Sequence, residues 1–248
     1  MPAVIDTDRL LAEVASSTDT LADISDSADP AAQVPTCPDW TLRQLITHVG
    51  RAQRWATAIV ATRSAEPIPF REVPDGRLPD DPAERSGWLR LGAAGLAEAV
   101  QGAGTSQAWT HHGMGPASYW ARRMAHETAV HRADGQLTVG TRPVIDPVIA
   151  VDGIDEWLGL LPYRPGAQPP TGTSETLHLH CTDRDGEWLI RLTEAAPEIE
   201  RTHGKGDVAV RGPASDVLLV LLRRLDPDQV EVFGDRTVLD HFLTHAAF

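Results

Sequence analysis

The spacing of the apolar residues constrains this fold most, because it changes from helical to strand-like near residue 165. Before that point, apolar residues recur every three to four positions, as they do on one face of an amphipathic helix. Within one of these runs, Pro116 is expected to lie in the first turn and Gly135 to end the helix. The pattern predicts five helices, over about 7–25, the later part of 34–63, 82–102, 116–134 and 146–161.

The C-terminal third has the character of a small α+β unit. It follows a segment rich in Pro, Gly, Ser and Thr, "PYRPGAQPPTGTS" (162–174), which we interpret as a linker. Apolar and polar residues then alternate in "ETLHLHCT", "EWLIRLTE", "DVAVRG" and "QVEVFG", as in strands, and helical spacing returns in "PASDVLLVLLRRL" and "RTVLDHFLTHAAF". We therefore predict a two-domain α+β protein, with a helical bundle over 1–165 and a small α+β domain over 166–248.

The composition excludes several classes of partner. The 248 residues carry 22 Lys+Arg against 35 Asp+Glu, a net charge of −13, so phosphate backbones and anionic lipid surfaces are not expected partners. No apolar run reaches the roughly 18 residues that a membrane helix needs. Two cysteines cannot form a disulfide scaffold, and the acidic N-terminal stretch lacks signal-peptide charges. We expect a cytoplasmic protein.

Glu127 and His131 form the best candidate for part of a metal site. In "RMAHETAVHRAD" (123–134) they lie four apart, so they project from a helix only about 40° from each other. His126 lies about 140° from His131, which rules out the two-histidine arrangement of zinc proteases. A third ligand must come from another helix, and His48, beside an apolar face, is the best candidate. Two histidines and one carboxylate leave a fourth zinc position open.

Other interpretations of these residues stay open. A Glu–His pair at this spacing is often a surface ion pair, and Asp134 is either an acceptor for the imidazole N–H of His131 or a partner of Arg132. His178 and His180 share one strand face in "HLHC" and form a rival metal pair, for which the sequence shows no third ligand.

The segments "VPTCPDWTLRQLITHVG" and "RMAHETAVHRAD", in this order and about eighty residues apart, resemble the mycothiol-dependent maleylpyruvate isomerase family. The resemblance covers nearly the whole chain and implies a DinB-like four-helix bundle followed by a C-terminal α+β domain. It implies that His48, Glu127 and His131 bind zinc, although nickel or iron also suit such a ligand set. It further implies mycothiol as the low-molecular-weight thiol co-substrate.

The resemblance also implies a reaction. A metal-bound thiolate attacks a small electrophilic substrate, which leads either to cis-trans isomerisation, as with maleylpyruvate, or to S-transfer. An arginine of the C-terminal domain receives the substrate, and Arg224 is the closest match, although Leu222-Arg223 replaces the Trp-Gly common in the family. Whether Arg223 or Arg224 faces the substrate stays open. The alternative functions are a metal-dependent hydrolase and a non-catalytic metal- or ligand-binding protein. In each case we expect a monomer or a small homo-oligomer. The proline-rich connection at 64–82 is long enough to contribute pocket walls.

Overall fold

The computed structural model describes residues 5–161 and 170–246. Its contacts divide the chain into two compact units, Met1–Pro143 and Val144–Phe248. This division falls earlier in the chain than the boundary expected at residue 165, and it assigns the last of the five predicted helices to the second unit. The expected boundary itself, and most of the expected linker at 162–174, lie outside the described residues.

The first unit is built on four helices, which confirms the predicted bundle. They are α1 (Thr7–Ser27), α2 (Leu42–Thr62), α3 (Pro82–Ala103) and α4 (Tyr119–Thr138). Helices α1 and α2 each pack against both α3 and α4. Their inward faces carry the apolar residues that recur at helical spacing, among them Leu21, Leu45, Val49 and Leu89.

The helix starts follow local capping chemistry. Asp6 and Asp81 accept hydrogen bonds from the backbone N–H groups of the first turns of α1 and α3. Helix α2 begins with a capping box, in which Thr41 and Gln44 each satisfy the other's backbone N–H. These contacts fix where α2 begins. They therefore also fix the direction in which the His48 side chain projects from the helix.

The 64–82 connection is held against the bundle by hydrogen bonds that two tryptophans of the bundle donate to backbone carbonyls of the connection. It contains a short 3-10 helix at Phe70–Glu72. The indole of Trp55 donates to the carbonyl of Ile68 at 2.7 Å, and the indole of Trp88 donates to that of Asp75 at 2.9 Å. These two hydrogen bonds place Phe70 over the bundle.

The start and end expected for the fourth helix were wrong. Pro116 lies in a two-stranded antiparallel hairpin, formed by β1 (Gln107–Thr110) and β2 (Gly113–Pro116), and α4 begins only at Tyr119. Gly135 does not end the helix, which continues to Thr138. A Cβ at position 135 would lie 2.8 Å from Leu21 Cδ2, so glycine is needed there for the close packing of α4 on α1.

The second unit combines α5 (Pro147–Leu160) with a five-stranded sheet and two further helices. The sheet order is β5-β4-β3-β6-β7, with β3 and β6 parallel and the other pairs antiparallel. Helices α6 and α7 pack on β3 and β6. The strands are β3 (Thr176–Cys181), β4 (Glu187–Arg191), β5 (Glu198–Glu200), β6 (Val208–Gly212) and β7 (Glu231–Gly234), and the helices are α6 (Ala214–Leu221) and α7 (Arg236–His245).

On one face of this sheet the central residues Leu177, Leu179, Val208 and Val210 are fully buried, and they alternate with residues of the other face. The strand predictions for β3, β4, β6 and β7 agree with the structure, whereas the short β5 was missed. The predicted class, a helical N-terminal part followed by a small α+β part, is confirmed. Across residues 5–161 and 170–246, none of the helices combines the length and the apolar content that crossing a membrane requires.

Candidate metal centre

Helices α2 and α4 bring His48, Glu127 and His131 together inside the first unit. Glu127 and His131 lie one turn apart on α4, and the Nε2 atom of His131 is 3.2 Å from Oε1 of Glu127. From α2, the Nε2 atom of His48 lies 3.0 Å from the same oxygen. One candidate ligand atom from each of the three residues lies within 4.8 Å of the others. The three residues selected from the sequence therefore form one cluster.

A buried carboxylate orients the His131 ring. Oδ2 of Asp134 is 2.8 Å from Nδ1 of His131, which leaves Nε2 directed at Glu127. Asp134 is completely buried, and its Oδ1 accepts a hydrogen bond from the Thr36 hydroxyl at 2.5 Å. The Cys37 thiol lies 3.8 Å from Oδ2. Thr36 and Cys37 precede α2, so the segment before His48 also braces the acceptor behind His131.

Arg132 contacts side chains of α1 and of the next turn of α4. Its guanidinium donates to the Ser17 hydroxyl at 3.0 Å and to the Gln136 side chain at 2.9 Å. The interpretation in which Asp134 receives the His131 imidazole N–H is supported by the 2.8 Å distance between Oδ2 of Asp134 and Nδ1 of His131.

Glu127 is an ionised carboxylate in this environment. Burial by itself would raise its pKa, but the neighbouring Arg123 and the hydrogen bonds with His131 and His48 outweigh burial, so the pKa of Glu127 lies well below its usual value. Arg123 lies one turn before Glu127 on α4 and pairs with Oε2, while Oε1 faces the two imidazoles. The i,i+4 spacing of Arg123 and Glu127 is visible in the sequence, and sequence analysis missed this arginine.

The proton affinity of His131 is raised in the metal-free protein. Burial would lower its pKa, but the hydrogen bonds and charges of Asp134 and Glu127 more than compensate and raise the pKa to about 9. At neutral pH the metal-free cluster therefore holds a proton on His131, and a cation that takes its Nε2 must displace that proton.

Aromatic rings border the cluster on one side. The Trp40 ring lies 4.8 Å from the His48 ring and 5.8 Å from the His131 ring, measured between centroids. Phe70, from the 64–82 connection, lies 6.1 Å from His48 and 5.8 Å from Trp55. Phe70 was not identified from the sequence, because its place depends on how the connection folds back over α2.

The chemistry of this donor set fits a divalent transition metal. Two imidazole nitrogens and one carboxylate oxygen are ligands that zinc takes in catalytic sites, and the Asp134–His131 contact is the outer hydrogen bond that such ligands usually make. The three side chains are half-buried or buried, so an ion held there would be partly shielded from water.

Other residues considered as site candidates lie outside this cluster. His126 is buried on α4 but is not part of it. Arg224 lies in the second unit after α6, where its Nη1 donates to the Leu222 carbonyl at 2.8 Å.

The fold and this cluster define a class, a four-helix bundle with a candidate His₂–carboxylate metal centre that is followed by an α+β unit. Residues 10–135 match the family model described as the mycothiol maleylpyruvate isomerase N-terminal domain, and residues 149–241 match the C-terminal domain model of the same family. The chain therefore belongs to the mycothiol-dependent maleylpyruvate isomerase family, as its sequence motifs indicated.

Solved structures agree with this assignment at the level of fold. A crystal structure of a mycothiol-dependent maleylpyruvate isomerase has a TM-score of 0.61 and 18% sequence identity, and covers 92% of this chain and 93% of its own. A crystal structure of a His-to-Ala variant has a TM-score of 0.62 and 17% identity, with the same coverage. No curated protein sequence matches the chain significantly.

Proposed function

We propose that this protein is a metal-dependent enzyme that uses mycothiol to isomerise or conjugate a small electrophilic substrate, with zinc held by His48, Glu127 and His131. The observation that supports this proposal most is the convergence of the two imidazoles, His48 at 3.0 Å and His131 at 3.2 Å, on one carboxylate oxygen of Glu127. The family assignment supplies the thiol and the reaction class.

The chain's own residues have defined tasks in this proposal. His48 and His131 offer Nε2 lone pairs, and Glu127 offers the negative charge that offsets a divalent ion. Asp134 orients His131, and Arg123 positions Glu127 by holding its second oxygen. Bound zinc would supply a Lewis acid that lowers the pKa of a ligating thiol. The rings of Trp40 and Phe70 limit water on one side of the cluster.

In the isomerisation, the sulfur of mycothiol adds to one carbon of the substrate double bond, and the electron pair of that bond moves onto the conjugated carbonyl. Rotation about the new single bond follows. The electron pair then returns, the carbon–sulfur bond breaks and the thiol leaves unchanged. In the S-transfer alternative the carbon–sulfur bond is retained, and the electron pair returns to the carbon next to the carbonyl, which takes up the proton released by the thiol. We propose Arg224 as the cation that receives a substrate carboxylate.

Cobalt substitution tests thiol ligation directly. Protein loaded with Co²⁺ is titrated with mycothiol, and we expect a sulfur-to-cobalt charge-transfer band that saturates. The His48→Ala variant should have lost the metal and therefore show no band. His245→Ala, which removes an exposed histidine of α7, is the matched control and should behave as the wild type.

Substrate assays then separate the alternatives. Thiol-dependent conversion of maleylpyruvate supports the isomerase, and thiol consumption with other electrophiles supports the transferase. If mycothiol leaves the cobalt spectrum unchanged while the protein hydrolyses a substrate, the thiol-using function is wrong and the hydrolase is supported. If His48→Ala retains full metal content, the metal centre itself is wrong.

The role of Arg224 has a separate test. Arg224→Gln should raise KM for a dicarboxylate substrate at least about tenfold, because a charge-assisted bidentate contact is lost. Its metal content should be unchanged. The neighbouring Arg223→Gln is the comparison variant, and if it alone raises KM, the substrate contact belongs to Arg223.

A further inference from the structure

We propose that His178, His180, His203 and Glu187 form a second metal site, on the face of the five-stranded sheet opposite the buried one, for a divalent transition-metal ion such as Zn²⁺. This site lies in the second unit and is independent of the proposed enzymatic function. The candidate ligand atoms of the four residues all lie within 4.8 Å of one another. Three nitrogens and one carboxylate oxygen complete a tetrahedral zinc set.

The strand register brings three of these residues together. His180 on β3 is directly opposite Glu187 on β4, and His178 lies two residues earlier on the same face of β3. The Nε2 atom of His178 is 2.9 Å from Oε2 of Glu187, and Nδ1 of His180 is 3.8 Å from it. The two histidines were visible in the sequence as a pair, and the antiparallel pairing of β3 with β4 adds Glu187 as the third ligand.

His203 adds a fourth ligand from the segment between β5 and β6. Its Nδ1 atom is 2.6 Å from Oε2 of Glu187, so the carboxylate is shared by His178 and His203. This segment is anchored on β3 by Asp207, whose Oδ2 accepts from the backbone N–H of Thr176 at 2.8 Å. A metal ion would therefore bind the 201–207 segment to the sheet at a second point.

The surroundings favour a transition-metal cation. Glu187 is ionised, since the hydrogen bonds from His203 and His178 outweigh partial burial and lower its pKa. A cleft of about 590 Å³, lined by His178, His203 and Asp207 among others, opens the cluster to solvent. Three imidazoles do not suit calcium or magnesium, which take oxygen ligands. Cys181 is no competitor, because it projects to the opposite face and burial raises its pKa to about 12.

Lys205 provides a direct readout, because it is the only lysine in the sequence and lies two residues after His203. A lysine-specific endoprotease can therefore cut the chain only within the 201–207 segment. Cleavage requires the exposed segment to detach locally from the sheet. If an ion holds His203 to the sheet, Zn²⁺ at ten times its Kd should slow cleavage about tenfold.

The experiment uses the full-length protein with Zn²⁺ as the probe. In equilibrium dialysis, His203→Ala and Glu187→Gln should each bind one Zn²⁺ per chain fewer than the wild type. This difference does not depend on how far the first-unit cluster is occupied. Zinc should slow Lys205 cleavage in the wild type but not in these two variants. His245→Ala is the matched control and should resemble the wild type, and cleavage of a short lysine peptide shows any effect of zinc on the protease itself.

Two outcomes overturn the proposal. One is equal zinc stoichiometry in the wild type and both variants, with zinc-independent cleavage at Lys205; the cluster is then a hydrogen-bonded set of imidazoles around a carboxylate. The other is loss of one zinc in the His245→Ala control as well, which shows that exposed histidines bind the ion without a built site. Because the His203 side chain is exposed, His203→Ala should fold normally. The test therefore still decides the question if Glu187→Gln alone fails to fold.

Discussion

Replacing Asp134 by Asn tests how far the metal affinity of the first-unit cluster depends on the carboxylate behind His131. Asparagine keeps the shape of the side chain, but it removes the charge and one acceptor oxygen. The 2.8 Å contact between Nδ1 of His131 and the ionised carboxylate oxygen Oδ2 of Asp134 is then lost. Losing such an outer hydrogen bond typically weakens metal binding about 10- to 100-fold, which corresponds to about 1.4–2.7 kcal/mol.

A second effect of the same substitution acts in the opposite direction. Burial lowers the pKa of His131, but Asp134 and Glu127 raise it to about 9, so at pH 7 proton competition weakens wild-type metal binding about 100-fold. The Asn variant has a lower pKa at His131 and so suffers less competition. The ratio of the variant Kd to the wild-type Kd should therefore increase as the pH rises towards 9.

Competition with a chromophoric zinc chelator, between about pH 6.5 and 8.5, measures both effects. The control is Glu13→Gln, which makes the same charge change on α1, at a side chain that accepts a hydrogen bond from Ser17 and not from the cluster. We expect its Kd to follow the wild type at every pH. A folded Asp134→Asn protein whose Kd stays within about twofold of wild type near pH 8.5 would refute the orienting role.

Three further predictions concern the folded chain. Gly135→Ala should lower the free energy of unfolding by about 1–3 kcal/mol, because its Cβ would meet Leu21, whereas Gly102→Ala, with no atom nearby, should be neutral or stabilising in denaturant titrations. Calorimetry in buffers of different ionisation enthalpy should show about one proton released at pH 7 for each zinc bound at the first-unit cluster, and none would contradict the protonated state of His131. Cys181 should resist maleimide in the native protein, since its pKa is about 12 and it is buried, and rapid labelling would show local opening.

The parts of the fold that depend on local periodicity could be predicted from the sequence. The four bundle helices and four of the strands in the second unit follow from apolar spacing alone. The β1–β2 hairpin could not be predicted, because its strands are only four residues each and lack a regular alternation. Gly135 was misread because its close contact is with Leu21 on another helix, about 114 positions earlier in the chain, so no local pattern reveals it.

In the candidate metal centre, too, some residues could be predicted from local spacing and others depend on tertiary packing. Helical geometry fixes Glu127 and His131 on one face, and the i,i+3 spacing of His131 and Asp134 makes their contact possible. That His48 reaches the same oxygen depends on the rotation of α2, which the capping box and core packing set. Phe70 could be assigned only after the 64–82 connection was seen to be held by Trp55.

The two histidine clusters differ in what a bound ion would change. In the first unit, the ligands come from two long helices that are held by buried apolar faces, so the cluster exists before an ion arrives and binding mainly displaces a proton. In the second unit, His178, His180 and Glu187 are fixed by strand pairing, but His203 comes from an irregular segment and its side chain is exposed. An ion there would mainly stabilise the position of that segment. We therefore expect metal binding at the first cluster to depend steeply on pH, and metal binding at the second to appear chiefly as protection of Lys205.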